Sequence, residues 1–197
     1  MSNNVQKQID LYASLMTEIN NRVDNINLAV SGTLGFSDPM RAQEFCYLQI
    51  RMVIENIALA ALVAHGDMQG VSSLHNAWSA DKIMNRLERL HGNFYPKSCI
   101  QVGGDKSKIE YKQGIEKSEL LKIYNTCGEK LHRGKLANIK NPKEVNFIVV
   151  VDYVQKIYDF LNMHSIFLSE NKTLILCIMR TIETGEVHVV RATTIKH

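Results

Sequence analysis

The chain has 197 residues, of which 45% are hydrophobic and 22% are charged, and its formal net charge is +3. This hydrophobic content is enough to build a buried core without disulfides or metals, so the composition excludes a disordered chain. The small net charge excludes the dense basic surface of a dedicated duplex-binding protein, although it permits contact with nucleic acid. We therefore predict a single domain over residues 1–197.

The cysteines and the N-terminal residues indicate the compartment. Four cysteines are far apart in the sequence and form no Cys-x-x-Cys pair, which predicts free thiols in a reducing environment. The first ten residues are polar, and no run approaches the roughly eighteen apolar residues of a membrane span. No motif for a metal or a cofactor is present, so we expect neither. These patterns predict a cytoplasmic protein without membrane contact.

Two long helices are predicted first. Apolar residues recur at three- and four-residue spacing from about residue 4 to 30, as in an amphipathic helix. Asp38 and Pro39 are typical of a helix N-cap and first turn, and they predict a second helix over about 39–65. This second helix is apolar on nearly all sides, so we expect it to lie at the centre of a helical bundle.

The later elements are predicted to be shorter. Ser79 is expected to cap a third helix with its hydroxyl, and Asn141 is expected to cap the fifth. Short alternating runs around glycine-rich turns predict two hairpins. The predicted elements are a helix over about 79–91, a hairpin over 99–111, helices over about 118–133 and 142–167, and a hairpin over about 172–195.

The predicted fold is therefore mainly α. It is a bundle of about five helices with two small peripheral β-hairpins, in which the helical core covers about residues 4–167 and the C-terminal hairpin about 172–195. Residues 174–179 are apolar on both faces of their predicted strand, so we expect a helix or a second copy of the chain to cover them. A homodimer is the oligomeric state that we predict.

Arg51 and Glu55 are the first candidate site residues. They lie four residues apart in the most apolar helix, where a charge is costly unless it is paired. One interpretation is a structural ion pair that fixes how the helices pack. The other is a polar pocket that binds a ligand, to which we add Tyr124 as a third candidate ligand-binding residue.

His132 and Arg133 are candidate catalytic residues at the predicted end of the fourth helix. A histidine can exchange protons near neutral pH, so His132 could act as a general acid or base. The alternative is a histidine that only binds the free carbonyls of the helix end. The surrounding cations predict either a solvated helix terminus or a phosphate-binding patch. They are Lys130, His132, Arg133, Lys135, Lys140 and Lys143.

Three segments carry a resemblance to known proteins. Residues 47–63, residues 78–96 and residues 124–132, with Tyr124, Cys127-Gly128 and Leu131-His132, together resemble a widespread family of uncharacterised bacterial helical proteins. More distantly, the pattern of long helices resembles HEPN domains, which are helical dimers found in RNA-cutting toxins and antiviral systems.

The HEPN resemblance implies specific catalytic residues. Catalytic members carry an arginine, usually followed by a polar residue, and a histidine four to six positions further on. Arg86 and His91 have this spacing, with Leu87 at the position of the polar residue. The resemblance implies a metal-independent endoribonuclease in a defence or toxin system, in which His91 or His132 is the base and a neighbouring arginine stabilises the phosphorane.

Two other functions remain open at this point. The chain could be a non-enzymatic module that binds or inhibits a protein partner, in which case Arg51 and Glu55 are structural. It could also be a small-ligand sensor with its pocket at these two residues.

Overall fold

The structure is a computed structural model, and it describes residues 2–66, 68–74, 76–77, 79–102, 108–132, 145–168 and 173–193. Within these residues the chain forms five α-helices, one 3-10 turn and five strands, so the predicted mainly helical fold is confirmed. In chain order the elements are α1 (Ser2–Val30), α2 (Pro39–Ala64), a 3-10 turn (Ser72–Leu74), α3 (Ala80–Leu90), β1 (Lys97–Gln101), β2 (Ile109–Tyr111), α4 (Lys117–Leu131), α5 (Ile148–Leu161), β3 (Met163–Phe167), β4 (Thr173–Ile178) and β5 (His188–Thr193).

Helix α2 lies at the centre of the fold, as its sequence predicts. The Asp38 carboxylate caps the helix by accepting a hydrogen bond from the Met40 amide at 2.9 Å. Helix α2 contacts α1, α3, α4 and α5, and half of its 26 residues are buried. Among the described helices, α2 alone is long and apolar enough to cross a membrane, and 61% of its most apolar window is buried inside the fold.

The strands form one sheet, and this corrects the prediction of two small hairpins. The order is β2-β1-β3-β4-β5, and every neighbouring pair is antiparallel. Strands β1 and β2 form the first predicted hairpin, and β4 and β5 form the second. Strand β3 pairs with β1 on one side and with β4 on the other, so it joins the two hairpins into five strands.

Strand β3 was predicted as the last turns of the fifth helix, and that prediction was wrong. Its apolar residues, Met163, Ile166 and Phe167, continue a helix-compatible spacing from Phe160. The structure instead ends α5 at Leu161 and pairs five residues of β3 with β4. Pairing on both edges satisfies the backbone of β3, and this tertiary gain outweighs local helix preference.

Two predicted helix starts also need correction. Helix α5 begins at Ile148, where the Asn146 side chain accepts a hydrogen bond from the Ile148 amide at 2.8 Å. The predicted cap Asn141 lies outside the described residues. Ser79 does precede α3, but its hydroxyl donates to the Asp81 carboxylate and makes no capping bond to the backbone.

Helix α1 covers one face of the sheet. The buried Tyr12 hydroxyl donates to Nε2 of His164 in β3 at 2.7 Å, and the Asn20 side chain donates to the Met179 carbonyl just after β4 at 2.6 Å. Ile175 and Cys177 in β4 are buried, and on the opposite face Leu174 is buried and Leu176 is half-buried. Helix α1 therefore supplies the expected helical cover on one face of this apolar strand.

Candidate functional site

The structure brings Arg51, Glu55 and Tyr124 together where α2 packs against α4. The Arg51 guanidinium donates to the Tyr124 hydroxyl at 2.6 Å and to the Tyr124 carbonyl at 3.3 Å. The Tyr124 hydroxyl in turn donates to the Glu55 carboxylate at 2.9 Å. Arg51 Nε lies 3.5 Å from the same carboxylate oxygen, and the guanidinium carbon lies 3.8 Å from the Tyr124 ring centroid. We call these three residues the Arg51 network.

Gly128 makes room for this network. It lies one turn after Tyr124 on α4, and a Cβ at this position would be 2.6 Å from Nη1 of Arg51. That separation is shorter than a van der Waals contact, so the guanidinium lies directly against the α4 backbone. The absence of a side chain at Gly128 therefore allows Arg51 to contact both Tyr124 and the following turn of α4.

Burial and charge both act on the groups of this network. Burial, followed by the hydrogen bond to Glu55, raises the pKa of the Tyr124 phenol. The neighbouring Cys127 thiol is fully buried, and burial raises its pKa to about 12. The side chains of Arg51 and Glu55 are each 24% exposed, so the ion pair is reached by solvent from one side. Tyr124 therefore stays protonated as a hydrogen-bond donor, and Cys127 stays a thiol at neutral pH.

His132 lies at the end of α4 closest to the Arg51 network. It is the C-cap of α4, and its side chain is exposed. It follows Gly128, the residue in contact with Arg51, by four residues, which is about one helical turn, or ~6 Å along the axis of α4. Of the basic residues predicted to cluster here, Lys130 and His132 are described and exposed, and Arg133 with the later ones lies outside the described residues.

The second predicted pair, Arg86 and His91, lies at the far end of α3. Arg86 is exposed on α3, whereas His91 is its C-cap and only 8% exposed. Residues five apart on a helix differ by about 140° around its axis, so the two side chains leave α3 in different directions. The ring of His91 lies 5.0 Å from the ring of His65, which is also buried.

His65 links three elements at this end of the fold. Its Nδ1 lies 2.8 Å from the Ala61 carbonyl and its Nε2 lies 3.0 Å from the Phe167 carbonyl, while its ring faces His91. Burial lowers the pKa of His65 despite these two carbonyls. The contacts fit a structural junction between α2, α3 and β3.

His91 and His132 do not meet within one copy of the chain, and Arg133 lies outside the described residues. Lys117, the first residue of α4, contacts Asn85 at 3.0 Å and Glu88 at 2.5 Å in the second half of α3. The His91 end of α3 therefore lies beside the start of α4, and His132 lies at its other end. The fifteen residues of α4, Lys117–Leu131, span roughly 22 Å of helix.

The outer surface of α4 carries two grooves. No site was predicted there from the sequence. One groove, between α3 and α4, has a volume of about 690 Å³, and the other, between α4 and α5, has a volume of about 460 Å³. Ser118 and Lys122 line both grooves. The four-residue spacing of these polar residues on an amphipathic helix was the available signal.

The described residues contain no group of three or more histidines, cysteines or carboxylates that could hold a metal ion. The four cysteines, Cys46, Cys99, Cys127 and Cys177, are all buried and free.

Comparisons of the chain with models of known families, with curated proteins and with solved structures found no match.

Proposed function

We propose that this chain is an HEPN-like protein that binds and cleaves RNA. Its proposed catalytic centre consists of Arg51 on α2 and His132 at the end of α4. The observation that carries the proposal is the position of the Arg51 guanidinium. It lies against Gly128, and His132 follows Gly128 by one helical turn, so a fixed cation and an exposed imidazole lie along the same half of α4. A role in a bacterial or phage defence or toxin system is part of the same proposal.

The Arg51 network supplies preorganisation. Tyr124 and Glu55 hold the guanidinium in one orientation before any substrate binds. A fixed positive group stabilises a developing negative charge without reorganisation, which is the largest single contribution in many enzymes. Lys130 adds a positive charge at the exposed end of α4, and His132 adds a proton acceptor there.

The proposed step is a transesterification within the RNA. His132 removes the proton of a ribose 2'-hydroxyl, and the 2'-oxygen attacks the adjacent phosphorus. A bond forms between the 2'-oxygen and phosphorus, the bond from phosphorus to the 5'-oxygen breaks, and the leaving oxygen takes a proton from water. Arg51 stabilises the negative charge of the phosphorane. The products are a 2',3'-cyclic phosphate and a 5'-hydroxyl, and the step uses no metal.

Incubation of the purified chain with labelled total RNA, with and without chelator, tests this proposal. We expect cleavage that chelator does not change and that yields cyclic phosphate ends. His132→Ala removes the base and should reduce the rate by about 10²–10⁴-fold. His188→Ala is the matched control, because His188 is exposed on β5 and away from the Arg51 network.

An alternative function is supported by one observation. Arg51 and Glu55 already satisfy each other through Tyr124, as expected for a structural clamp in a non-enzymatic module that binds a protein partner. Intact RNA after incubation with the wild-type chain, or cleavage that His132→Ala leaves unchanged, would favour this alternative. A homodimer stays a prediction in either case.

A further inference from the structure

The outer surface of α4 carries a row of exposed side chains that leads to His132. Its members follow one another at spacings of four, three, four and three residues, so they form one stripe along the helix. All five side chains are exposed. We call them the α4 stripe: Ser118, Lys122, Asn125, Glu129 and His132.

The two grooves described above flank this stripe. Asn85 of α3 and Asn125 of α4 line the larger groove, and Tyr153 of α5 lines the smaller one. Both grooves are shallow and open to solvent. A single strand can lie along such a groove, whereas a duplex is too wide to enter a space between neighbouring helices.

The groove residues fit the parts of a nucleotide. The Tyr153 ring offers a surface on which an unstacked base can pack, and the amide of Asn125 offers both a donor and an acceptor for base edges. Ser118 and Lys122 lie on the ridge between the grooves, where the backbone of a bound strand would pass from one groove to the other.

Lys122 is the cation best placed to contact a phosphate. Lys117 is already paired with Glu88 at 2.5 Å, and Lys156 is paired with Glu119 and Asp152 at 3.2 Å each. Among the residues that the structure describes, no ion pair includes Lys122. Its charge is therefore free to bind a phosphate, whereas Lys117 and Lys156 would first have to leave their carboxylates.

We propose that the α4 stripe and its two grooves bind single-stranded RNA and lead the strand to His132. This inference deepens the proposed function and rests on it, because it names the form of RNA that the Arg51–His132 end receives. Glu129 is the unfavourable member of the stripe, since its carboxylate repels phosphate between Asn125 and His132. The charges of Lys122 and Glu129 therefore make opposite contributions to binding.

Fluorescence anisotropy with a short, labelled, single-stranded 2'-O-methyl RNA tests the proposal, because this RNA lacks the nucleophile and stays intact. Lys122→Glu should weaken binding by about tenfold or more, whereas Lys7→Glu on α1 should leave it nearly unchanged. Lys122→Met should reduce the slope of log K against log salt by about 0.7, the value for one contact to a single strand. Glu129→Gln should tighten binding.

Tyr153→Ala should weaken binding by about tenfold through loss of stacking. Since Tyr153 also packs against the core, far-ultraviolet circular dichroism of each variant checks its folding. If wild type binds and both Lys122→Glu and Tyr153→Ala bind equally well, or if duplex RNA binds more tightly than the single strand, the groove proposal is wrong while the proposed function stands. If wild type binds no RNA, both proposals fail together.

Discussion

The hydroxyl of Tyr12 donates a 2.7 Å hydrogen bond to Nε2 of His164, 152 residues later in the chain. The other ring nitrogen of His164 lies 2.7 Å from the Leu161 carbonyl, which can only accept, so Nδ1 carries the proton. Both side chains are almost completely buried. This pair fixes α1 on the sheet and holds the imidazole in its neutral form.

The first prediction concerns stability at acid pH. Burial lowers the pKa of His164 to about 4 from an ordinary value of 6.5. Between these two pKa values the unfolded chain is protonated at His164 and the folded chain is not. The free energy of unfolding is therefore highest above pH 6.5 and decreases as the pH falls towards 4. The loss should reach about 3 kcal/mol, and the lowered pKa of His65 adds a loss of the same sign.

Urea unfolding at a series of pH values measures this loss. The series runs from roughly pH 7 to pH 4, which covers the range between the pKa of His164 in the unfolded and in the folded chain. His188→Ala is the control for the removal of a histidine, because His188 is exposed on β5 and lies outside the buried Tyr12–His164 contact. A free energy of unfolding that stays constant across this window would contradict the neutral, buried assignment of His164.

The second prediction removes the Tyr12 hydroxyl. Tyr12→Phe leaves Nε2 of His164 buried without a donor, and such a loss costs about 1–3 kcal/mol. Tyr111→Phe is the matched control, because the Tyr111 hydroxyl is bonded only weakly, to Ser165 at 3.3 Å, and the residue is 48% exposed. Chemical denaturation of the two variants should separate them by at least about 1 kcal/mol. Equal stability would mean that the Tyr12–His164 bond contributes little.

The third prediction concerns the ion pair in the central helix. Arg51→Met leaves Glu55 without its cation, which costs about 3–5 kcal/mol for a fully buried pair. Glu55 is 24% exposed and keeps the hydrogen bond from Tyr124, so we expect a smaller loss of about 1–2 kcal/mol. Arg41→Met removes an exposed pair with Glu44 on the same helix and should change stability by less than about 0.5 kcal/mol. Thermal unfolding of both variants tests the difference.

These contacts indicate how much of the fold could be predicted from the sequence. The four-residue spacing of Arg51 and Glu55 predicts that they pair, because both lie on one helix and the geometry is local. Tyr124 was named as a candidate ligand-binding residue, but its position between them depends on how α4 packs on α2, which no local pattern encodes. Strand β3 was missed because its apolar spacing also suits a helix and because its pairing with β1, as between Lys97 and Ser165, joins distant parts of the chain.

Gly128 was the clearest missed signal of the site. An isolated glycine inside a helical pattern lowers helix stability, so it indicates a close approach of another group to the backbone. In the structure that group is the Arg51 guanidinium. The direction of approach could not be predicted, since it requires the packing angle of two helices.

The last prediction tests whether this close approach matters for function. Gly128→Ala places a Cβ 2.6 Å from Nη1 of Arg51, so the guanidinium must move away from the α4 backbone. The side chain of Arg51 is flexible, and alanine favours a helix over glycine by about 1 kcal/mol, so the global stability should change little. RNA cleavage should nevertheless fall by about tenfold or more, because a displaced cation no longer faces the reacting phosphate.

Gly92→Ala is the control for the glycine exchange itself, because nothing lies within 4 Å of a Cβ at that position. A cleavage assay combined with thermal unfolding of both variants decides the question. A Gly128→Ala variant that cleaves RNA as fast as wild type would show that the position of Arg51 is irrelevant to the reaction, and the network with Tyr124 and Glu55 would then be structural. Reduced cleavage with unchanged stability assigns it to the catalytic centre, because a merely structural clamp predicts that the two measurements change together.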